Sequence, residues 1–134
     1  AGLGEPFFDS TESLVAHLLF AIPGIKGVEF GSGFAAARMR GSEHNDPLLD
    51  AAGRTATNHA GGIVGGLTNG NPLVVRAAFK PTASIAREQR SFDRTTGRIE
   101  SFTVGGRHDV CIALRGAVAV EAAVAIVLAD LMKP

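Results

Sequence analysis

In the stretch "GGRHDVC" the successive residues Arg107, His108 and Asp109 put a cation, a titratable ring and a carboxylate side by side. Such a set can hold an anionic ligand through the guanidinium while the carboxylate relays a proton. A solvated charged turn is the plain alternative, and it is the commoner fate of such a cluster seen alone. A second candidate lies upstream in "TNHAGGIVGGLTNGNPLVVRAAFKPTASI", residues 57–85, where two glycine pairs precede an apolar run ending in Lys80 beside Pro81. This stretch lacks the Gly-Lys-Ser/Thr ending of a nucleotide phosphate loop and the Gly-x-Gly-x-x-Gly spacing of a dinucleotide fold. Its glycines either let a flat ring or a phosphate approach the backbone closely, or simply aid packing.

Other reactive residues carry less. His17, His44, His59 and His108 show no metal-ligand spacing, so no metal site is expected. His17 falls within a helical pattern and reads as a satisfied partner. Cys111, the single cysteine, reads as a small buried hydrophobe rather than a nucleophile. Glu121 interrupts the apolar run "GAVAVEAAVAIVLADLM" and calls for a partner such as an arginine, because an unpaired buried carboxylate is costly. It counts as structural support before it counts as a site residue.

These residues need elements to position them. "DSTESLVAHLLFAI" reads as an amphipathic helix capped at Asp9, with Glu12 three residues on, and Pro23 and Gly24 stop it. "GVEFG" at 27–31 reads as a short strand. The polar stretch 38–58, rich in turn and charged residues, reads as a mobile functional loop. "PLVVRAAF" at 72–79 is a strand between a turn-rich segment and the Lys-Pro break. "GRIESFTV" after "DRTTG" is another, with Ile99, Ser101 and Thr103 on one face and Glu100, Phe102 and Val104 on the other. From Ala117 to Met132 the apolar residues cover nearly every helical face, which predicts a helix buried on most of its surface. The expected class is α+β, with helices packed on a mainly antiparallel or mixed sheet, because the loops are not regular βαβ crossovers.

Composition sets the outer bounds. The chain has 134 residues, 46% of them hydrophobic, enough for one folded domain spanning 1–134. Thirteen basic residues balance thirteen acidic ones, so no net field would hold it on nucleic acid or an anionic membrane, and neither is expected as a partner. The C-terminal apolar run, broken by Glu121 and Asp130, falls short of a membrane span, and no targeting segment is visible. A single cysteine fits a reducing compartment, and a cytoplasmic location is expected.

Taken together, "GLGEPFFDS", "IPGIKGVEFGSGF", "MRGSEHND", "TNHAGGIVGG", "NGNPLVVRAAFKPTASI" and "GRHDVCIALRGAVAVEAAVAIVLAD" resemble, in order and spacing, the C-terminal part of chorismate synthase. The resemblance covers essentially the whole chain. It implies a lyase of the shikimate pathway, a flavoprotein of aromatic amino acid biosynthesis. Its reaction is the 1,4-anti elimination of phosphate from 5-enolpyruvylshikimate 3-phosphate to give chorismate, with reduced FMN required although there is no net redox change. It also implies a β-α-β sandwich, a homotetramer, and an N-terminal part, longer than this chain, that supplies two catalytic histidines and most substrate-binding arginines. The isolated segment would then be inactive, or would act as a stand-alone module that binds FMN or assembles without catalysis.

By the same resemblance, the backbone of Pro23 and Gly24 and that of Gly65 would touch FMN. Lys80, Pro81, Thr82, Ala83 and Ser84 would bind its phosphate or ring edge. Arg107 would contact both flavin and substrate, and Asp109 would work with the flavin N5 to move the proton taken from C6 of the substrate. Ala83 stands where many relatives carry a hydroxyl, and Val110 where many carry proline. Residues 57–85 would on this view be a cofactor wall.

Overall fold

Ser10 opens the first helix: its Oγ accepts the N–H of Ser13 at 3.1 Å, pairing one of the donors that a helix start leaves free. In the computed structural model, which describes residues 1–5 and 7–133, this helix α1 spans Thr11–Phe20. Asp9, expected as the cap, instead bridges to Glu5, and the Thr11 N–H donates to the Gly66 carbonyl at 2.9 Å. Adjacent Asp and Ser are both competent caps, and the N–H three residues beyond Ser10 decides between them. Thr11, Val15 and Leu19 recur every fourth residue and form the buried stripe of α1.

Strand β1, Ile25–Phe30, starts two residues earlier than the sequence pattern indicates, because Ile25 pairs across to Phe79 with an irregularity before Gly27. A 3₁₀ helix at Gly33–Arg38 and a single turn α2 at Gly41–His44 follow. The polar stretch beyond them is tied down. The Asp46 carboxylate accepts from the N–H groups of His59 and Ala60 at 2.8 and 2.9 Å and from the Thr57 hydroxyl at 2.7 Å. Burial works against its charge, but the Ala60, His59 and Thr57 donors prevail and hold its carboxyl below the ordinary carboxylate range.

Strands β2, Ile63–Val64, and β3, Leu67–Thr68, form a small hairpin, and β4 runs Val75–Phe79. β4 is shorter than expected because Val74 bonds to Gly31 and Gly61 outside the ladder. β5, Gln89–Asp93, and β6, Arg98–Phe102, form the last hairpin. Every described ladder is antiparallel: β1 with β4, β2 with β3, β5 with β6. The last helix, α3, spans Ala113–Leu131.

Helices α1 and α3 lie together on the β1–β4 sheet, with Val15, Leu19, Ile25, Ala123 and Val127 as the buried centre. This is the expected α+β class, helices on an antiparallel sheet. Gly116 sets the contact between helix and sheet, since a Cβ there would run into the Phe79 ring. The opposite side of α3 departs from expectation. Only Ala123 and Val127 are buried, while Leu114 and Val118 are exposed. Glu121 faces solvent as well and needs no buried partner. Cys111, expected inside, is also exposed.

Candidate cofactor and substrate site

The end of the sheet where β4 finishes is where the candidate residues gather. Lys80 directly follows β4, and its N–H donates to the Gly24 carbonyl at 2.8 Å, which fixes the Pro23–Gly24 turn against the exit of the strand. Ile112, just before α3, packs on the same turn: a Cβ on Gly24 would lie 2.8 Å from its Cδ1. Three segments distant in sequence therefore meet here. The loop after Lys80 and the loop before Ile112 run on from this junction.

Those two loops enclose a cavity of about 280 Å³, lined by Thr82, Ser84 and Ile85 from one and His108, Asp109 and Val110 from the other. The Thr82 hydroxyl is buried and has no hydrogen-bond partner among the described residues. Leaving such a group unpaired costs on the order of 1–3 kcal/mol. Asp109 is held from the far side, its Oδ2 accepting from Arg115 Nη1 at 3.0 Å. His108 turns back on its own loop, with Nε2 3.1 Å from the Gly105 carbonyl. Lys80 and Arg107 are exposed and make no ion pair among the described residues.

The cavity itself offers two hydroxyl-bearing residues and a carboxylate, while Lys80 and Arg107, on the same two loops, stand outside its lining; together they suit a phosphate or the polar edge of a flat ring. Small-molecule sites typically enclose roughly 300–1,000 Å³. At about 280 Å³ the cavity has the size of a partial wall for a cofactor as large as FMN. A larger groove of about 520 Å³ separates α1 from α3, but it is lined by Leu14, Leu18, Ile126 and Ala129, with exposed His17 at its rim. It is a mainly apolar groove between helices that also takes in Asp130 and Lys133, and it shares no residue with the Asp109 loop. His17 makes no side-chain hydrogen bond among the described residues, so it is not the satisfied partner expected.

The glycine-rich stretch divides into parts with different work. Gly61 and Gly62 have φ of +69° and +82°, and side chains there would collide with the backbone of Gly31 and Pro72. Their structural work is packing. Gly65 is at the exposed tip of the β2–β3 hairpin, beside Gly66, whose carbonyl meets the first turn of α1. Pro23 and Gly24 follow the other end of that helix. Ten residues of α-helix rise about 15 Å, so this chain does not by itself bring Gly65 to Lys80. Of residues 57–85, Thr82, Ser84 and Ile85 line the cavity, whereas Lys80, Pro81 and Ala83 do not. Two contributors escaped the sequence reading: Arg115, which holds Asp109, and Ile112, which packs on Gly24.

Comparison with known proteins then decides the family. The family model described as chorismate synthase matches residues 1–132. The chain belongs to the chorismate synthase family. It is 65% identical over 131 residues to the chorismate synthase of Chitinophaga pinensis, covering 98% of this chain and 40% of that protein. It is 52% identical to that of Korarchaeum cryptofilum, covering 96% of this chain and 36% of the relative. A solved structure described as a crystal structure of chorismate synthase aligns with a TM-score of 0.73 at 32% identity, covering 97% of this chain and 33% of that one. The chain thus spans well under half the length of the chorismate synthases it matches.

Proposed function

We propose that this segment is the C-terminal part of a chorismate synthase and forms one wall of the site that converts 5-enolpyruvylshikimate 3-phosphate to chorismate. One observation carries the reading: the loop after Lys80 and the loop after Arg107 line a single cavity, with Thr82 and Ser84 on one side and Asp109 on the other. Lys80, Thr82 and Ser84 would hold reduced FMN by its phosphate or ring edge, with the backbone of Gly24 beside them. Reduced FMN, when bound, supplies an electron-rich ring that eases departure of the substrate phosphate. Arg107 provides a cation for the anionic substrate.

Asp109 has the proton-handling role. A 1,4-elimination breaks the C6–H and C3–O bonds and creates one further double bond, so a proton must be taken up as phosphate leaves. Among the described residues this carboxylate is bonded at Oδ2 and not at Oδ1, where it can take the proton. The walls matter too, since excluding water strengthens each of these charged contacts. The remaining arginines and the histidine acids would come from the preceding part of the enzyme, and further walls from neighbouring subunits of a homo-oligomer.

The partial size of the cavity supports a second reading for the segment acting alone, a module that keeps the fold and assembly surfaces without turnover. Anaerobic titration with reduced and oxidised FMN separates the two. With this segment joined behind the N-terminal part of the Chitinophaga pinensis relative, FMN binding should saturate, and Thr82→Val should weaken it several-fold, about 1 kcal/mol for a lost hydrogen bond. Unchanged affinity in both Thr82→Val and Lys80→Ala would place the flavin elsewhere.

A further inference from the structure

We propose that Arg115 is the positioning residue for Asp109, an inference that rests on the reading of Asp109 as the proton carrier. Arg115 Nη1 donates to Asp109 Oδ2 at 3.0 Å and so ties the irregular loop after β6 to the first turn of α3. Stability does not account for the pair. The arginine side chain is 80% exposed and the aspartate 38%, and exposed pairs add little to folding. Nor does the helix call for a cation there. The N-terminal turn of a helix carries a partial positive charge and favours acids, yet the first turn of α3 has no acidic residue and its start has no side-chain cap. An arginine at this place works against the helix dipole, and Asp109 is its one ion-pair partner among the described residues.

The geometry explains what it contributes. Asp109 sits in a loop preceded by Gly105 and Gly106, with no other side-chain hydrogen bond among the described residues. Without Arg115 no side chain among the described residues would fix its carboxylate. With it, Oδ2 is held and Oδ1 is left for the proton, in a residue that lines the same cavity as Thr82 and Ser84. The contact is single, Nη1 to Oδ2, so it holds one oxygen in place and leaves the other open. Loss of such positioning costs about 10- to 100-fold in rate when a reacting group strays by around an ångström.

The test uses the joined enzyme and four variants: Arg115→Ala, Arg115→Lys, Asp109→Asn, and Arg115→Ala with Asp109→Asn. Steady-state chorismate formation is measured at saturating reduced FMN, with and without millimolar guanidinium. Arg115→Ala should lower kcat about 10- to 100-fold and leave KM and FMN affinity within about twofold, the signature of an interaction outside uniform binding. Guanidinium should restore part of that loss, which it would not do for a misfolded variant. Arg115→Lys should fall between wild type and Arg115→Ala, and Arg115→Ala should cost nothing further in the Asp109→Asn background. Wild-type kcat in Arg115→Ala, or an equal loss with and without Asp109, would overturn the role of Arg115 while leaving Asp109 in place. Wild-type kcat in Asp109→Asn would instead remove the reading of Asp109, and the proposal with it. Should Arg115→Ala fail to fold, Arg115→Met takes its place, and wild-type kcat in that variant would overturn the positioning role.

Discussion

Lys80 and Asp109 carry separable parts of the proposed site, so their removal should fail in different ways. Lys80→Ala loses a charge-assisted contact of about 1.5–3 kcal/mol, which predicts FMN binding weaker by about 10- to 100-fold, read by flavin titration. Asp109→Asn should keep FMN affinity within about twofold and lower kcat by about 10²–10⁴, read by chorismate formation. Asp46 makes a prediction about pH. Its folded carboxyl titrates below the ordinary range, so its contribution is complete above the unfolded value of about 3.9 and is lost as pH falls through the lower folded one. Acid unfolding should therefore begin at higher pH in Asp46→Asn, followed by fluorescence of a bound dye or by circular dichroism. Some of these residues were legible in advance, since Lys80 and the Arg107–Asp109 run are charges beside turn residues. Arg115 was not, because its value depends on how the loop from Asp109 folds back onto α3, and spacing along the chain does not encode that.

Elements bring the site together through two contacts at the end of the sheet, the Lys80–Gly24 hydrogen bond and the seating of α3 on Phe79. Gly116→Ala tests the second. Alanine favours a helix over glycine by about 1 kcal/mol, but overpacking against the ring costs about 1–3 kcal/mol. The urea midpoint should fall, and Phe79→Leu in the same chain should recover part of the loss. An unchanged or higher midpoint would show that the ring moves aside freely. At this scale the sequence located α1, β1, β4, β6 and α3 to within a few residues, because periodicity and Pro-Gly breaks mark them. It missed the short elements between β1 and β4, namely the 3₁₀ helix, α2 and the β2–β3 hairpin, and also β5, where "QRSFD" offers one large apolar residue and no alternation, and strand formation depends on pairing with β6. It overstated the burial of α3, because an apolar helix face looks the same in sequence whether this chain or another part covers it.

At the scale of the whole molecule, the uncovered side of α3 is the leading feature. Leu114 and Val118 are 82% and 71% exposed, an arrangement that water disfavours and that another part of the protein or a second copy would cover. The isolated 134-residue chain should therefore self-associate, with sedimentation coefficients rising with concentration, and Leu114→Glu with Val118→Glu should restore a monomer. A wild-type chain that stays monomeric at high concentration would argue against this. The family was legible because motif order survives over the full segment, and the architecture followed from it. How Gly65 would reach a flavin was not, since α1 separates it from Lys80 and the other walls lie outside this chain. The most direct measurement of the central claim is anaerobic chorismate formation by the joined enzyme, with and without reduced FMN, beside Asp109→Asn. The account predicts chorismate and free phosphate in equal amounts, dependent on reduced FMN and cut at least about 100-fold by the substitution. Product formed at the wild-type rate by Asp109→Asn, or formed without reduced FMN, would contradict it.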